Sequence, residues 1–394
     1  MKFISFGKIN IKFLIPIIGG VVRLIYAFLI NLNPKYGAAI ENPFILSIYT
    51  NIGMIFAFIP YLILKYRSKR ANIIPKELKY KSKLNIKLIH NNIFEETRCN
   101  KYKFIALSTI FDFFEIIINY LFCMNCAYNL WIFDIIFISL FSYLILNTKY
   151  YKHQYFSMII ILFLGLLLNL LEYLKSDESE NRLNIFEISM KLLSEISLSL
   201  SVVIIKYNME KNYCNPYEVC IWEGVLGLIL HIICLAIINA LKLKIDDVQY
   251  PDNFFRYFEN YDIYDFIVCF MVIIVNFIYN ISIMIACDSF TPVHILITYI
   301  IKEYYYYLKI NENIALNFLG ILILIFISFM FLVFVEIIEL NIFNISYNTK
   351  KNIEIRSQMD SFVDINAILD QNEEVKVDEE NIMNSTFSSA NENP

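Results

Sequence analysis

The sequence predicts an all-α integral membrane protein of ten transmembrane helices in two inverted five-helix repeats, on three observations. Apolar stretches of about 19 to 26 residues recur from Ile11 to Ile338 between short polar loops, and a hydrocarbon core about 30 Å thick takes roughly 20 helical residues to cross. The loops alternate between basic and acidic. A faint internal match recurs at an offset of about 163 residues.

Composition excludes a water-soluble domain. The chain is 58% hydrophobic with mean hydropathy +0.54, which in water would expose large apolar patches. With only nine Gly in 394 residues, small-residue seams between helices are thinned and bulkier side chains must fill them. The eight Cys are scattered, and Cys123 and Cys126 are the only close pair. They read as two small apolar residues, because a structural zinc site needs four ligands.

The apolar windows fall at 11–31, 43–64, 104–124, 127–147 and 154–174, which make up a first repeat over 11–174. A second set at 185–206, 217–241, 264–287, 291–309 and 314–338 makes up a second repeat over 185–338. The first window follows a short basic segment, residues 1–10, with no small-residue cleavage site, so it reads as a signal anchor. Pro16 and Pro60 remove backbone hydrogen bonds and are expected kinks or hinges, whereas Pro292 reads as a first-turn proline. Residues 339–394 form a tail that from Ser357 holds nine acidic residues and one Lys without apolar period, the composition of a disordered segment.

The segment 65–103 carries twelve Lys or Arg against three Glu, which places it in the cytosol by the positive-inside rule. Alternation then puts both termini, the Lys149–Lys152 turn and the Lys206–Lys211 turn on the same side. The acidic loops 176–182 and 245–262 fall outside or in a lumen. Residues 149–157 align with 312–320, each run leading into a long apolar helix, the fifth and the tenth. Five is odd, so a second five-helix unit inserts upside down relative to the first, the plan of many secondary carriers with a site near the midplane.

Polar stripes run along several of these helices. Ser108, Asp112, Glu115 and Asn119 are spaced by four, three and four residues, so they share one helix face. Glu187, Lys191, Ser194, Ser197 and Ser201 form a similar stripe with Glu195 at its edge, and Glu187 precedes Lys191 in the favourable order for an ion pair. Asp265, Cys269, Asn276 and Asn280 line a third. His294 and the Lys302-Glu303 pair come from the ninth window, while Arg23 and Asp134 stand inside the first and fourth. Arg23, Asp112, Glu115, Asp134, Lys191 and Glu195 facing lipid would together cost on the order of 15 to 20 kcal/mol, more than a typical net stability. They must face one another or water. Each has two readings, a paired strut between helices or a contact to solute, and an excess of buried carboxylates makes Asp112 and Glu115 candidates for carrying a coupling proton. The four His form no metal cluster and no nucleophile elbow or phosphate loop appears, so no enzyme chemistry, cofactor or metal is expected.

The segment Pro216-Tyr-Glu-Val-Cys-Ile-Trp-Glu223-Gly224-Val-Leu-Gly227 carries a family resemblance, with Asn42-Pro43-Phe44, Asp112, Thr291-Pro292-Val-His294, Glu336 and Asn348-Thr-Lys-Lys351. Together, over roughly residues 11 to 356, they resemble the drug/metabolite transporter superfamily, in the branch shared by solute carrier family 35 and chloroquine-resistance-transporter-like proteins. The resemblance implies two inverted five-helix halves, with helices one to four and six to nine around a central cavity, five and ten peripheral, and an endomembrane or organellar location. The chain departs from the family pattern at Ile205-Lys206, where relatives often have two acidic residues, and from the nucleotide-sugar pattern at Ile300-Ile-Lys302-Glu303.

The expected function is therefore secondary transport of a small polar metabolite, such as an amino acid, peptide or amine, by alternating access with protons as the candidate coupling ion. In it Arg23 faces an anionic group, and Asp112 and Glu115 a cation or proton. Asn119, Asp134, Lys191, Glu195 and His294 complete the contacts, with Ser197, Ser201, Asn276 and Asn280 supplying hydrogen bonds. Glu223 and Gly224 are expected to set helix packing at the cytosolic mouth. A nucleotide-sugar carrier and a receptor or scaffold without transport are the alternatives. The partners are membrane lipid, a small-molecule solute and a candidate second copy in a homodimer, with no nucleic acid.

Overall fold

The computed structural model describes residues 4–6, 13–31, 43–70, 87–122, 130–175, 185–212, 214–241, 263–308 and 314–340. The acidic tail, the Cys123–Cys126 pair and the middle of the basic segment lie outside these residues. The described chain is helical apart from one short ladder: α1 Leu14–Asn31, α2 Pro43–Ile55, α3 Phe58–Arg70, α4 Lys87–Phe122, α5 Asp134–Leu146, α6 Lys152–Lys175, α7 Ile185–Asn212, α8 Pro216–Leu241, α9 Ile263–Ser289, α10 Leu296–Leu308 and α11 Ile314–Phe334. Short 3₁₀ turns, Leu130–Phe133 and Pro292–Ile295, lead into α5 and α10. Counting α2 and α3 as two halves of one rod, ten helical spans are described, one on each apolar window.

Six of them are long and apolar enough to cross a membrane: Ser47–Tyr66, Lys152–Leu171, Ile185–Asn212, Pro216–Ile237, Phe266–Ser289 and Ile314–Phe334. Leu14–Tyr26 and Leu130–Leu146 are shorter apolar helices. The outward faces confirm the solvent. Ile159, Phe163 and Phe318 are 68%, 66% and 69% exposed, a surface that suits acyl chains and not water.

Local chemistry sets the breaks and ends. Pro60 has no N–H for the carbonyl of Phe56, which is bonded instead by Ile59 N–H at 3.0 Å, and the rod turns at Phe56–Ala57 between α2 and α3. Pro16 behaves differently from expectation. It falls in the first turn of α1, where a backbone N–H has no intrahelical acceptor to lose. The basic segment 65–103 is also more helical than its charge implied, because α3 runs on to Arg70 and α4 begins at Lys87. Span four stops at Asn147, whose left-handed backbone (φ 54°) lets its N–H reach Ser142 O.

Packing neighbours are α1 with α9 and α10, α2 with α8 and α9, α4 with α7 and α8, α5 with α7, α6 with α11, and α10 with α11. One apolar core, including Ile132, Ile135, Ile161, Val203, Leu296, Leu324, Ile327 and Phe331, joins α5, α6, α7, α10 and α11. A second, including Met54, Ile105, Ile205, Val219, Cys220, Met284 and Cys287, joins α2, α4, α7, α8 and α9. Two glycines permit the closest backbone approaches. A Cβ at Gly53 would lie 2.8 Å from Ile273 O on α9, and one at Gly224 would lie 2.7 Å from Asn51 O on α2. Finally, β1 Ile4–Phe6 pairs antiparallel with β2 Ile338–Leu340, Ser5 opposite Glu339, which brings the segment ahead of α1 beside the segment after α11.

Candidate functional site

A cavity of about 410 Å³ occupies the middle of the bundle. Its wall comes from α1, α2, α4, the turn before α5, α7, α8, α9 and α10, while α6 and α11 contribute nothing to it. Three basic side chains (Arg23, Lys191, Lys302) and five acidic ones (Asp112, Glu115, Glu195, Glu223, Glu303) line it, so carboxylates are in excess.

One wall is a continuous polar network. Asn119 Nδ2 donates to Glu115 Oε1 on the same face of α4. Lys191 Nζ and Ser194 Oγ on α7 donate to Asn119 Oδ1 at 2.9 and 3.0 Å, and Lys191 sits 3.0 Å from Glu195 Oε1 one turn on. This is possible because α4 and α7 lie against one another with both stripes inward, the arrangement that four- and three-residue spacing demands. Across the cavity Arg23 is held by aromatic groups from two helices. Its Nη1 donates to Tyr279 OH at 2.5 Å, and its guanidinium lies over the rings of Tyr279 and Tyr299 at 5.1 and 4.8 Å.

The third group comes from α8. Glu223 is 2% exposed and its Oε1 accepts the Ser108 hydroxyl of α4 at 2.5 Å. Two turns on, His231 Nδ1 is 2.7 Å from Gly227 O; a carbonyl only accepts, so Nδ1 carries the proton. With that proton in place the Asn51 amide nitrogen of α2, 3.2 Å from Nδ1, is a neighbour and not a donor to it, and the ring edge meets Phe113.

Of the side chains predicted from sequence, Arg23, Asp112, Glu115, Asn119, Lys191, Glu195 and Asn280 reach the cavity. Asp134, Ser197, Ser201 and Asn276 stand behind its wall: Asp134 accepts Ser199 Oγ at 3.0 Å, Ser197 bonds back to Leu193 O, Ser201 is fully buried, and Asn276 O accepts from Asn280 Nδ2. His294 is placed elsewhere. Its Nδ1 lies 2.9 Å from Thr291 Oγ1 and its ring stacks on Phe290, so it braces the turn before α10. The Asp265 side chain lies outside the described part. Glu223 and His231 were not among the predicted contacts, nor were Asn51, Tyr279 and Tyr299. Glu223, Gly227 and His231 do recur at a spacing of four, a stripe as regular as that on α4.

The end of the bundle next to the basic segment is tightly closed. Lys101 Nζ of α4 meets Glu218 Oε2 of α8 at 2.5 Å, Asn208 Nδ2 of α7 donates to Lys101 O at 3.2 Å, and Lys206 Nζ donates to Asp288 O at 3.0 Å. Burial pushes the Cys214 thiol up to about 11, so at neutral pH it stays protonated and faces Asn208 Oδ1 at 3.4 Å as a donor. At the other end Lys191 is 21% exposed, while Glu223 is 2% exposed. No protein-family model matches the chain, and no curated protein matches it.

Proposed function

We propose that the chain is a multi-pass secondary carrier for a small polar metabolite, with the central cavity as its solute site, built on the drug/metabolite-transporter plan. The observation that carries this reading is the make-up of the wall: a polar cavity lined by seven helices, α1, α2, α4, α7, α8, α9 and α10, and by Trp131 from the turn leading into α5, with spans five and ten packed on each other outside it. The packing pattern supports a repeat of five. Spans one and eight pack as do six and three, one and nine as do six and four, and two and eight as do seven and three. The pairs two with seven and five with ten map onto themselves under the same shift. In an inverted-repeat carrier, solute is alternately exposed as one bundle rocks on the other. The Lys101–Glu218 end is then the closed gate and the Lys191 end the open one.

Five carboxylates against three cations disfavour a polyanionic nucleotide sugar. Glu115, through its link to Lys191, and Asp112, one turn before it, are the groups through which a proton gradient would act. Uptake into proteoliposomes across a metabolite panel, with and without an imposed pH gradient, tests the reading. Saturable uptake of at least one polar solute, faster with the gradient, is the expected result. Absence of flux for every solute would replace the carrier with a membrane receptor or scaffold.

A further inference from the structure

The cavity walls differ in how their charges are compensated. Glu115 is bonded to Asn119, Glu195 faces Lys191, and Arg23 lies between two tyrosines. Glu223 has no such counter-charge: among the described residues it forms no ion pair. One oxygen takes the Ser108 hydroxyl, and Oε2, fully buried, has no hydrogen-bond donor. Another carboxyl, Asp112, stands one turn on from Ser108 along α4. Both line the cavity. A buried carboxylate with an orphaned acceptor, beside a second, half-buried carboxyl, is unfavourable without a donor, and the missing partner is one that brings positive charge and N–H groups together.

We propose that Glu223 and Asp112, with the Ser108 hydroxyl orienting Glu223, form the subsite that receives a protonated primary amine of the solute. The inference rests on the cavity being a solute site and names the solute's chemistry: an organic amine whose ammonium enters toward α8. A primary ammonium has three N–H donors and matches an acceptor-lined pocket. A quaternary ammonium supplies charge without donors, and an alcohol supplies a donor without charge.

The chain offers its own reporter. It has two Trp; Trp131 lines the cavity and Trp222 packs on Tyr102 at the closed end. In full-length Trp222→Phe protein in nanodiscs, Trp131 fluorescence is titrated at neutral pH with butylamine, butanol, tetramethylammonium and sodium chloride. Butylamine is expected to give a saturable change that the other three do not. Glu223→Gln, close in shape, weakens it by about tenfold or more, and Glu223→Asp, which keeps the charge, falls between. Lys149→Gln, exposed in the turn between α5 and α6 and absent from the cavity wall, stays within about twofold. Melting curves of each variant separate lost binding from lost fold. Equal responses to butanol, tetramethylammonium or sodium, or an unchanged response in a folded Glu223→Gln, overturn the subsite. Binding here without flux for any solute in proteoliposomes would remove the carrier reading and leave the amine subsite standing.

Discussion

Replacing Gly53 by Ala adds one methyl group where α2 and α9 touch. That carbon would sit 2.8 Å from Ile273 O, 2.9 Å from Phe277 N and 3.2 Å from Asn276 Cβ. A carbon–oxygen contact settles at about 3.3 Å or beyond, so the helices must part by ~0.5 Å. Two of the three obstacles are backbone atoms, which cannot rotate away. Overpacking of this kind costs about 1–3 kcal/mol, here toward the upper end, while Ala gains about 1 kcal/mol over Gly in helix propensity. The net expectation is a loss of ~2 kcal/mol. Gly19 makes the control. Its added carbon would meet Ser282 Cβ at 3.1 Å and Thr298 Cγ2 at 3.5 Å, both side-chain atoms, so the two effects nearly cancel. Equilibrium unfolding of the solubilised protein should rank Gly53→Ala clearly below wild type and Gly19→Ala beside it. A Gly53→Ala protein as stable as wild type would refute the close α2–α9 approach.

Two further outcomes follow from the charges. Lys101→Glu should weaken the closed end and the swapped pair Lys101→Glu/Glu218→Lys should restore it. At 16% and 21% exposure the pair is screened in part, and a double-mutant cycle on unfolding should give a coupling of about 0.5–1 kcal/mol. Arg23→Lys keeps the charge but loses the flat guanidinium between Tyr279 and Tyr299. A stability loss of about 1–2 kcal/mol, largely abolished in a Tyr299→Leu background, is expected in the same unfolding assay.

Hydropathy located the helices well because bilayer thickness imposes a length on every apolar run, and each of the ten windows coincides with a described helical span. It was blind to Lys87–Lys103, since a charged stretch beyond the bilayer can continue a helix without any apolar signal. The α4 and α7 stripes were legible because several polar residues repeat on one face, and these do meet at Asn119 and Lys191. The α8 stripe was sparser: Glu223 and His231 are separated by a glycine that is polar in neither sense. Its periodicity was present and its meaning was not. The Arg23 cradle was out of reach altogether, because Tyr279 lies 256 positions away and only the packing of α1 on α9 and α10 brings it near.

The pairing of Ile4–Phe6 with Ile338–Leu340 has a practical consequence for anyone who would watch this molecule move. Spectroscopic labels attached at those two places sit side by side on a hydrogen-bonded ribbon and will report a short, nearly constant separation whatever the rest of the bundle does. Distance probes belong on the far rim instead, beside Lys191.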